Sequence, residues 1–255
     1  MIKKRLIGVV TVKNGLAVQS FGFRKYLPLG KPERLVENLD RWGADEILVQ
    51  VIDRTAQKQG PDFALLERLG RLGISTPLIY SGGIRSVEDG VTAIHLGADR
   101  LMVDTLIHDD LTEVKRLSHL LGVQAVIASL PLSIEGSELI WLDYKTRKNL
   151  PGEEIFLKLR DQDIVSEILV IDYENEGKPK AFQKSLLDMA SIYGIPLIAF
   201  GGISSSEQIS DIFTMPKLVA IGIGNFLSYK EHALQNYKKE VHFNLLRKPY
   251  YQINK

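Results

Sequence analysis

The stretch Pro77-Leu-Ile-Tyr-Ser-Gly-Gly-Ile-Arg-Ser-Val-Glu-Asp89 occurs again as Pro196-Leu-Ile-Ala-Phe-Gly-Gly-Ile-Ser-Ser-Ser-Glu-Gln208, with 8 of 13 positions identical. The copies are 119 residues apart, close to half of the 255-residue chain. A second pair, Glu46-Ile-Leu-Val49 and Glu167-Ile-Leu-Val170, is 121 residues apart. The alternative is that two strands resemble each other by chance. Two offsets that agree this closely instead predict that the chain has two similar halves related by a pseudo-twofold axis.

Short apolar and β-branched runs alternate along the chain with longer amphipathic segments, which is the pattern of parallel strands joined by crossover helices. The helical segments include residues 32–42, 62–72, 87–96 and 111–121. Eight strands are predicted, at residues 6–12, 47–52, 77–80, 101–103, 124–128, 168–171, 196–200 and 218–221.

Eight strands with helices between them predict one (β/α)8 barrel, or TIM barrel, that occupies residues 1–255 as a single domain. The half-barrels are expected at about 1–121 and 122–240, with 241–255 as a C-terminal extension. Two segments interrupt the alternation. Residues 21–31 form a long first loop that is expected to act as a lid over the barrel, and residues 133–152 are predicted as a small hairpin.

The composition of the chain argues against several classes of function. The formal net charge is +1 and no long block of Lys or Arg is present, so a nucleic-acid partner is not expected. No apolar run approaches the roughly 18–20 residues that span a bilayer, and no secretory segment follows Met1, so we expect a cytoplasmic protein without membrane insertion. Because Cys is absent and the five His lack ligand spacing, neither a metal site nor a cofactor is predicted.

Each Gly-Gly pair lies between a strand end and a serine-containing helix start, where close backbone approach and free N–H groups favour an anion such as phosphate. A tight turn capped by serine is the structural alternative. Barrel phosphate sites often combine neighbouring loops, and two such sites would suit a ligand phosphorylated at both ends. The predicted phosphate-binding residues are Gly82, Gly83, Asp104 and Thr105 in the first half, and Gly201, Gly202, Gly224 and Asn225 in the second.

Over nearly its whole length the chain resembles the cyclase subunit of imidazole glycerol phosphate synthase, called HisF. That family's barrel accepts ammonia from a glutaminase subunit docked on its N-terminal face, and it acts on a bisphosphorylated substrate. The resemblance rests on Val12-Lys13-Asn14-Gly15, Gly30-Lys31-Pro32, Gly43-Ala44-Asp45-Glu46, Ser81-Gly82-Gly83-Ile84, Leu96-Gly97-Ala98-Asp99-Arg100, Gly122-Val123-Gln124-Ala125 and Gly201-Gly202.

The resemblance implies an ammonia gate at the lower end of the barrel. The family's ring of alternating charges maps onto Arg5, Glu46, Arg100 and Glu167, with every sign retained, and Asp99 matches a position at the glutaminase interface. These residues lie at strand starts, where a charge ring can close an otherwise apolar bore. Without the resemblance, the alternative is that these four residues are ordinary solvated charges at the starts of strands.

The upper end departs from the family pattern. Its two catalytic aspartates are replaced by Thr11 and Leu130, and neither side chain performs acid–base catalysis near neutral pH. Asp104 stands where the family usually has asparagine, and a carboxylate there would repel a phosphate dianion. Asp172 ends an apolar run and is expected to point toward the barrel mouth, so it is the candidate replacement catalytic residue.

Three functions follow from this mixture. The favoured one is an ammonia-accepting barrel that works with a HisH-like glutaminase, and with a third sugar-amidotransferase protein, on a phosphorylated or nucleotide-linked sugar in surface polysaccharide synthesis. The second is a working cyclase of histidine biosynthesis with substituted catalytic groups. The third is a catalytically silent scaffold that activates a glutaminase by docking.

Overall fold

The computed structural model describes residues 3–229, 232–241 and 246. Eight parallel strands close into a barrel, because the strand Glu167–Asp172 pairs with Val126–Glu135 as well as with Leu197–Phe200 and so joins the two ends of the row. The predicted single (β/α)8 barrel is therefore confirmed. In chain order the barrel strands are β1 (Arg5–Lys13), β4 (Glu46–Val51), β5 (Leu78–Ser81), β6 (Arg100–Val103), β7 (Val126–Glu135), β10 (Glu167–Asp172), β11 (Leu197–Phe200) and β12 (Leu218–Ile223).

Helices cover the outside of the barrel. The strands are apolar along their length because both faces are buried, one against the helices and one inside the barrel. The helices are α1 (Pro32–Arg41), α2 (Phe63–Gly70), α3 (Val87–His95), α4 (Thr105–Asp109), α5 (Leu111–Leu121), α6 (Gly152–Gln162), α7 (Ser185–Ser191), α8 (Ser206–Ile212) and α9 (Ala233–Glu240).

The core has two layers separated by the barrel wall. The inner cluster fills the barrel with alternate residues of the strands, including Ile7, Leu48, Met102, Ile127 and Leu169. The outer cluster combines the remaining strand residues with the buried faces of the helices. Because side chains alternate along a strand, membership of one cluster or the other tells which way each strand residue points.

Two additions extend the barrel wall. Residues 21–31, predicted as a loop, instead contribute to an antiparallel hairpin of β2 (Leu16–Phe21) and β3 (Lys25–Gly30), which pairs with the upper half of β1. The hairpin predicted within 133–152 is present, as β8 (Glu138–Asp143) paired with β7, and a third strand, β9 (Lys148–Pro151), pairs with β8.

The C-terminal extension predicted at 241–255 lies outside the described residues apart from Val241 and Leu246. Across the part of the chain that the structure describes, no helix is both long enough and apolar enough to span a membrane.

Candidate functional site

Four charged side chains form a closed ring at the N-terminal end of the barrel. Arg5 donates to Glu46 at 2.8 Å and to Glu167 at 2.7 Å, and Arg100 contacts the same two carboxylates at 3.0 and 3.2 Å. Every side chain of the ring is 7–12% exposed. The four residues named from sequence therefore lie together, directly below the apolar inner cluster, and the ring carries no net charge.

Two aspartates beside this ring organise the strand starts. Asp99, the predicted partner-interface residue, is exposed and accepts a hydrogen bond from the Leu78 N–H at 2.7 Å. Asp45 accepts from the Leu6 N–H at 2.8 Å in the same way. Each carboxylate thus ties one strand to the start of its neighbour, so Asp99 has a structural contact in addition to its position on the lower face.

The two Gly-Gly turns at the upper end have the same backbone geometry. Gly82 and Gly83 have φ of 125° and 74°, and Gly201 and Gly202 have 106° and 72°. Such positive φ values favour glycine. The helix starts that follow are also alike. Ser86 accepts from the Asp89 N–H, and Ser205 accepts from the Gln208 N–H. In return, the Asp89 side chain accepts from the Arg85 N–H, and the Gln208 side chain accepts from the Ser204 N–H.

The glycines also make room for neighbouring backbone. A Cβ on Gly82 would lie 2.3 Å from the Val51 carbonyl oxygen, and one on Gly201 would lie 2.6 Å from that of Asp172. The second glycine of each pair is packed in the same way against the preceding βα loop, at residues 60–61 and 181–182 respectively. Close packing against neighbouring backbone is therefore one reason that these turns contain glycine, as the structural alternative states.

A small pocket opens beside the second turn. Its lining includes Thr11, Gly202, Gly224, Asn225 and Glu176, and its volume is about 10 Å³, enough for about one water molecule. Gly201 lines it as well, so this half brings all its predicted phosphate-binding residues together. The Asn225 side chain, however, accepts from the Ser20 N–H at 3.0 Å and donates to the Ser20 carbonyl oxygen, so it holds the β2–β3 hairpin down.

The first half differs at the equivalent place. Asp104 follows β6 on the inward-facing register of Arg100 and Met102, and within the described residues its carboxyl group has no hydrogen-bond partner. Burial, and secondarily the charge of Asp143, raises the pKa of Asp104 to about 8. Thr105 opens the short helix α4 beside it. The nearby Tyr144 hydroxyl is buried and has no hydrogen-bond partner among the residues that the structure describes.

The two family catalytic positions have different surroundings. Thr11 faces the mouth, where its hydroxyl accepts from Gln50 at 2.7 Å. Leu130, in contrast, is fully buried in the outer cluster with Ala128 and Leu132, so the prediction that it stands at the mouth is wrong. Because alternate residues face opposite sides, the inward position at that end of β7 is Pro131. Neither Thr11 nor Pro131 carries a carboxylate.

Asp172 does not point toward the mouth either. It has the outward register of Val170, and its carboxylate accepts from the N–H and side chain of Asn175 and from the Gln183 N–H. Burial is the first cause of its raised pKa. The prediction of Asp172 as a mouth-facing replacement is corrected on this ground, because its carboxylate organises the loop between β10 and α7.

Glu176, which follows β10, holds the hairpin over the mouth. Glu176 accepts from the Ser20 hydroxyl at 3.0 Å and from the Phe23 N–H at 3.2 Å. Phe23, at the hairpin tip, packs against the inner cluster and contacts the Tyr144 ring edge-on with ring centroids 5.7 Å apart. The sequence offered one signal for this contact, the aromatic Phe23 in an otherwise polar first loop. Local pattern could not identify its partner, because Glu176 lies 153 residues further along the chain.

The Glu176 contacts predict that hairpin closure depends on pH. Burial raises the pKa of Glu176 to about 7 from its ordinary 4.5. The protonated acid therefore favours the closed hairpin, and this stabilisation is full below pH 4.5 and is lost as pH rises through 7. We expect amide exchange around Phe23, measured by mass spectrometry, to accelerate relative to Glu176→Gln at the same pH by up to about tenfold per pH unit between pH 4.5 and 7, and the ratio of the two rates to level off above pH 7.

Glu174→Gln is the matched control, because Glu174 is exposed and only two residues away. That variant should keep the wild-type pH dependence. Equal ratios of wild-type to Glu176→Gln exchange at pH 6 and pH 8.5 would rule out Glu176 as the group that controls closure.

Fold and site together define a twofold-repeated (β/α)8 barrel with paired glycine turns at its mouth and a charge ring closing its lower end. The chain belongs to the histidine biosynthesis protein family, whose model matches residues 5–233.

Relatives match almost the full length. A Vibrio vulnificus (strain YJ016) protein, provisionally named imidazole glycerol phosphate synthase subunit hisF2, is 28% identical over 91% of this chain and 86% of its own. Imidazole glycerol phosphate synthase subunit HisF of Cytophaga hutchinsonii is 27% identical, covering 93% and 95%. A provisionally named hisF2 of Pseudomonas aeruginosa is 23% identical, covering 91% and 94%. The predicted family, a divergent HisF-like barrel, is confirmed.

Proposed function

We propose that this chain is the ammonia-accepting barrel subunit of a glutamine amidotransferase complex. In this proposal a HisH-like glutaminase docks on the N-terminal face beside Asp99, and ammonia enters through the ring of Arg5, Glu46, Arg100 and Glu167. The barrel then delivers it to a phosphorylated or nucleotide-linked sugar, with a third sugar-amidotransferase protein as a further partner. The names of the relatives, which are subunits of imidazole glycerol phosphate synthase, agree with a role inside a complex.

The closed ring is the observation that carries the proposal. Its four side chains satisfy one another, and the residues directly above them are apolar. Neutral ammonia can cross an apolar bore, whereas an ammonium ion pays a large desolvation cost there. If charged groups of a docked partner replaced some of the ion pairs within the ring, the ring would open. The path above it would then admit neutral ammonia and exclude ammonium.

The upper end favours a sugar-modifying role over the ordinary cyclase. Thr11 and Pro131 occupy the ends of β1 and β7 where the family's acid and base are expected, and neither can exchange a proton near neutral pH. Loss of one such group commonly lowers the rate by factors of about 100 to 10,000. Purified protein supplied with ammonium and the bisphosphorylated ribotide should form little imidazole glycerol phosphate, and formation at ordinary rates would support the cyclase instead.

Transfer of the amide nitrogen tests the channel. The barrel is mixed with the HisH-like glutaminase of the same organism, and ammonia released to solution is compared with glutamine consumed. We expect wild-type barrel to stimulate hydrolysis and retain ammonia, and Glu46→Ala or Arg5→Ala to raise the fraction that escapes. Arg34→Ala is the control, because Arg34 is 76% exposed on α1. Unchanged release in both ring variants, with hydrolysis still stimulated, favours the scaffold function.

A further inference from the structure

A second cavity, the side pocket, lies between helix α1 and the turn that follows β12. Its volume is about 210 Å³. The apolar side chains of its lining come from α1, from that turn and from the end of β3, and they include Leu29, Leu35, Leu39, Trp42 and Leu227. The side pocket is therefore separate from the charge ring and lies on the flank of the barrel.

The side pocket is large enough to hold an organic molecule. Protein interiors contain few voids larger than a water molecule, and an engineered apolar cavity of about 150 Å³ binds benzene. At about 210 Å³ the side pocket has room for one ring with a short substituent. Water inside an apolar pocket finds few hydrogen-bond partners, so its displacement by an apolar ligand is favourable.

The polar groups of the lining restrict the ligand further. Among the described residues of the lining no side chain is charged, and the polar side chains are those of Asn38 and Ser228, which have no hydrogen-bond partner in that part of the chain. An ion would lose its hydration here without gaining a counter-charge. The amide and the hydroxyl can each donate and accept. The lining therefore suits an uncharged, mainly apolar molecule with one hydrogen-bonding group.

Two residues connect the side pocket with the mouth. Gly224 lines the side pocket and also the small mouth pocket that contains Thr11. Leu29 belongs to the β2–β3 hairpin, whose tip residue Phe23 packs over the mouth and donates to Glu176. Opening the hairpin would withdraw Leu29 from the side pocket, so a molecule in contact with Leu29 stabilises the closed hairpin.

We propose that the side pocket is a regulatory site for a small uncharged organic molecule, held by apolar contacts and by a hydrogen bond to Asn38. Its occupation favours closure of the hairpin over the mouth. This site goes beyond the proposed function and does not depend on ammonia delivery, so the two can fail independently.

Benzyl alcohol, titrated into isotope-labelled protein and followed by NMR, tests the site. Of the two tryptophans in the chain, Trp42 lines the side pocket, whereas Trp141 packs against His108. We expect the indole N–H signal of Trp42 to shift saturably and that of Trp141 to stay in place. Asn38→Phe fills the pocket and should abolish the shift, whereas Arg34→Phe, at an exposed position on the same helix, should keep it.

Two results of this titration would overturn the site. One is a Trp42 signal that does not shift saturably in the wild-type protein, and the other is saturable binding that persists in Asn38→Phe.

Toluene separates the hydrogen bond from apolar burial, because it has the same ring without the hydroxyl group. Asn38→Ala should weaken benzyl alcohol binding roughly 2- to 10-fold, the value of one hydrogen bond, and should leave toluene binding unchanged. Equal weakening for both compounds, or none for either, would refute the contact with Asn38.

Amide exchange around Phe23 tests the regulatory effect. If the bound molecule requires the closed hairpin, benzyl alcohol at ten times its Kd should slow this exchange by about tenfold, and it should have no effect in Asn38→Phe. Exchange around Phe23 that stays unchanged while the Trp42 signal is saturated would show that occupation does not favour closure.

Discussion

Replacing Lys238 with methionine is expected to lower the free energy of unfolding by about 3–5 kcal/mol. The Lys238 ammonium group lies 2.7 Å from the Asp45 carboxylate, and the two side chains are 1% and 4% exposed. Asp45 also accepts from the Leu6 N–H. Methionine fills a similar volume but leaves the buried carboxylate without its counter-charge, and this uncompensated charge is the source of the loss. Urea denaturation followed by circular dichroism measures it.

Lys239→Met provides the control for Lys238, since the neighbouring lysine is exposed and its substitution should change stability by no more than about 0.5 kcal/mol. Asp45→Asn combined with Lys238→Met should recover most of the loss, because the amide oxygen can still accept from Leu6. A loss below about 1 kcal/mol in Lys238→Met would show that the ion pair does not fasten α9 to the barrel.

Substituting leucine for Glu46 should have an effect of comparable size, toward the lower end of about 3–5 kcal/mol, because the ring is slightly more exposed. The change removes one contact from Arg5 and one from Arg100, and leaves two guanidinium groups facing the single carboxylate of Glu167. Thermal and urea unfolding both report the loss.

Arg5→Met added to Glu46→Leu tests whether the ring acts as a unit. The double variant keeps the Arg100–Glu167 contact at 3.2 Å and restores charge balance, so it should be more stable than Glu46→Leu alone. If the two substitutions instead add without coupling, the four residues are independent surface charges and the solvated-charge interpretation is correct.

The sequence predicted the parts of the fold that depend on local pattern and repetition. Seven of the eight barrel strands begin and end within two residues of their predicted bounds, and helix α5 coincides with its predicted range of 111–121. The fifth strand, β7, continues to Glu135 instead of ending at 128, because it extends into the hairpin with β8. Residues 21–31 were predicted as a loop, whereas Lys25 and Pro28 both suit an edge strand such as β3. That hairpin is stabilised by contacts with Glu176 and Asn225, which lie far away in the sequence.

The errors at the site have one physical origin. Leu130 and Asp172 both end up on the outer face of their strands, and a shift of one residue in a strand moves a side chain to the opposite face. Pattern and resemblance located the correct strand ends but not this register. The charge ring was predicted from the resemblance, because the family's ring positions map onto these four residues; pattern alone left ordinary solvated charge as the alternative.

The close packing of each glycine pair against the preceding loop has a consequence for the way related sequences are compared. Any larger residue at Gly82 or Gly201 collides with main-chain atoms, so selection for a folded barrel retains these glycines whether or not a phosphate is bound. Among descendants of one duplicated ancestor, the Gly-Gly signature is therefore a marker of shared ancestry. Gly224 differs in this respect, because an added Cβ there would make only ordinary contact with the Phe200 ring, at 3.5 Å, and so packing alone does not require glycine.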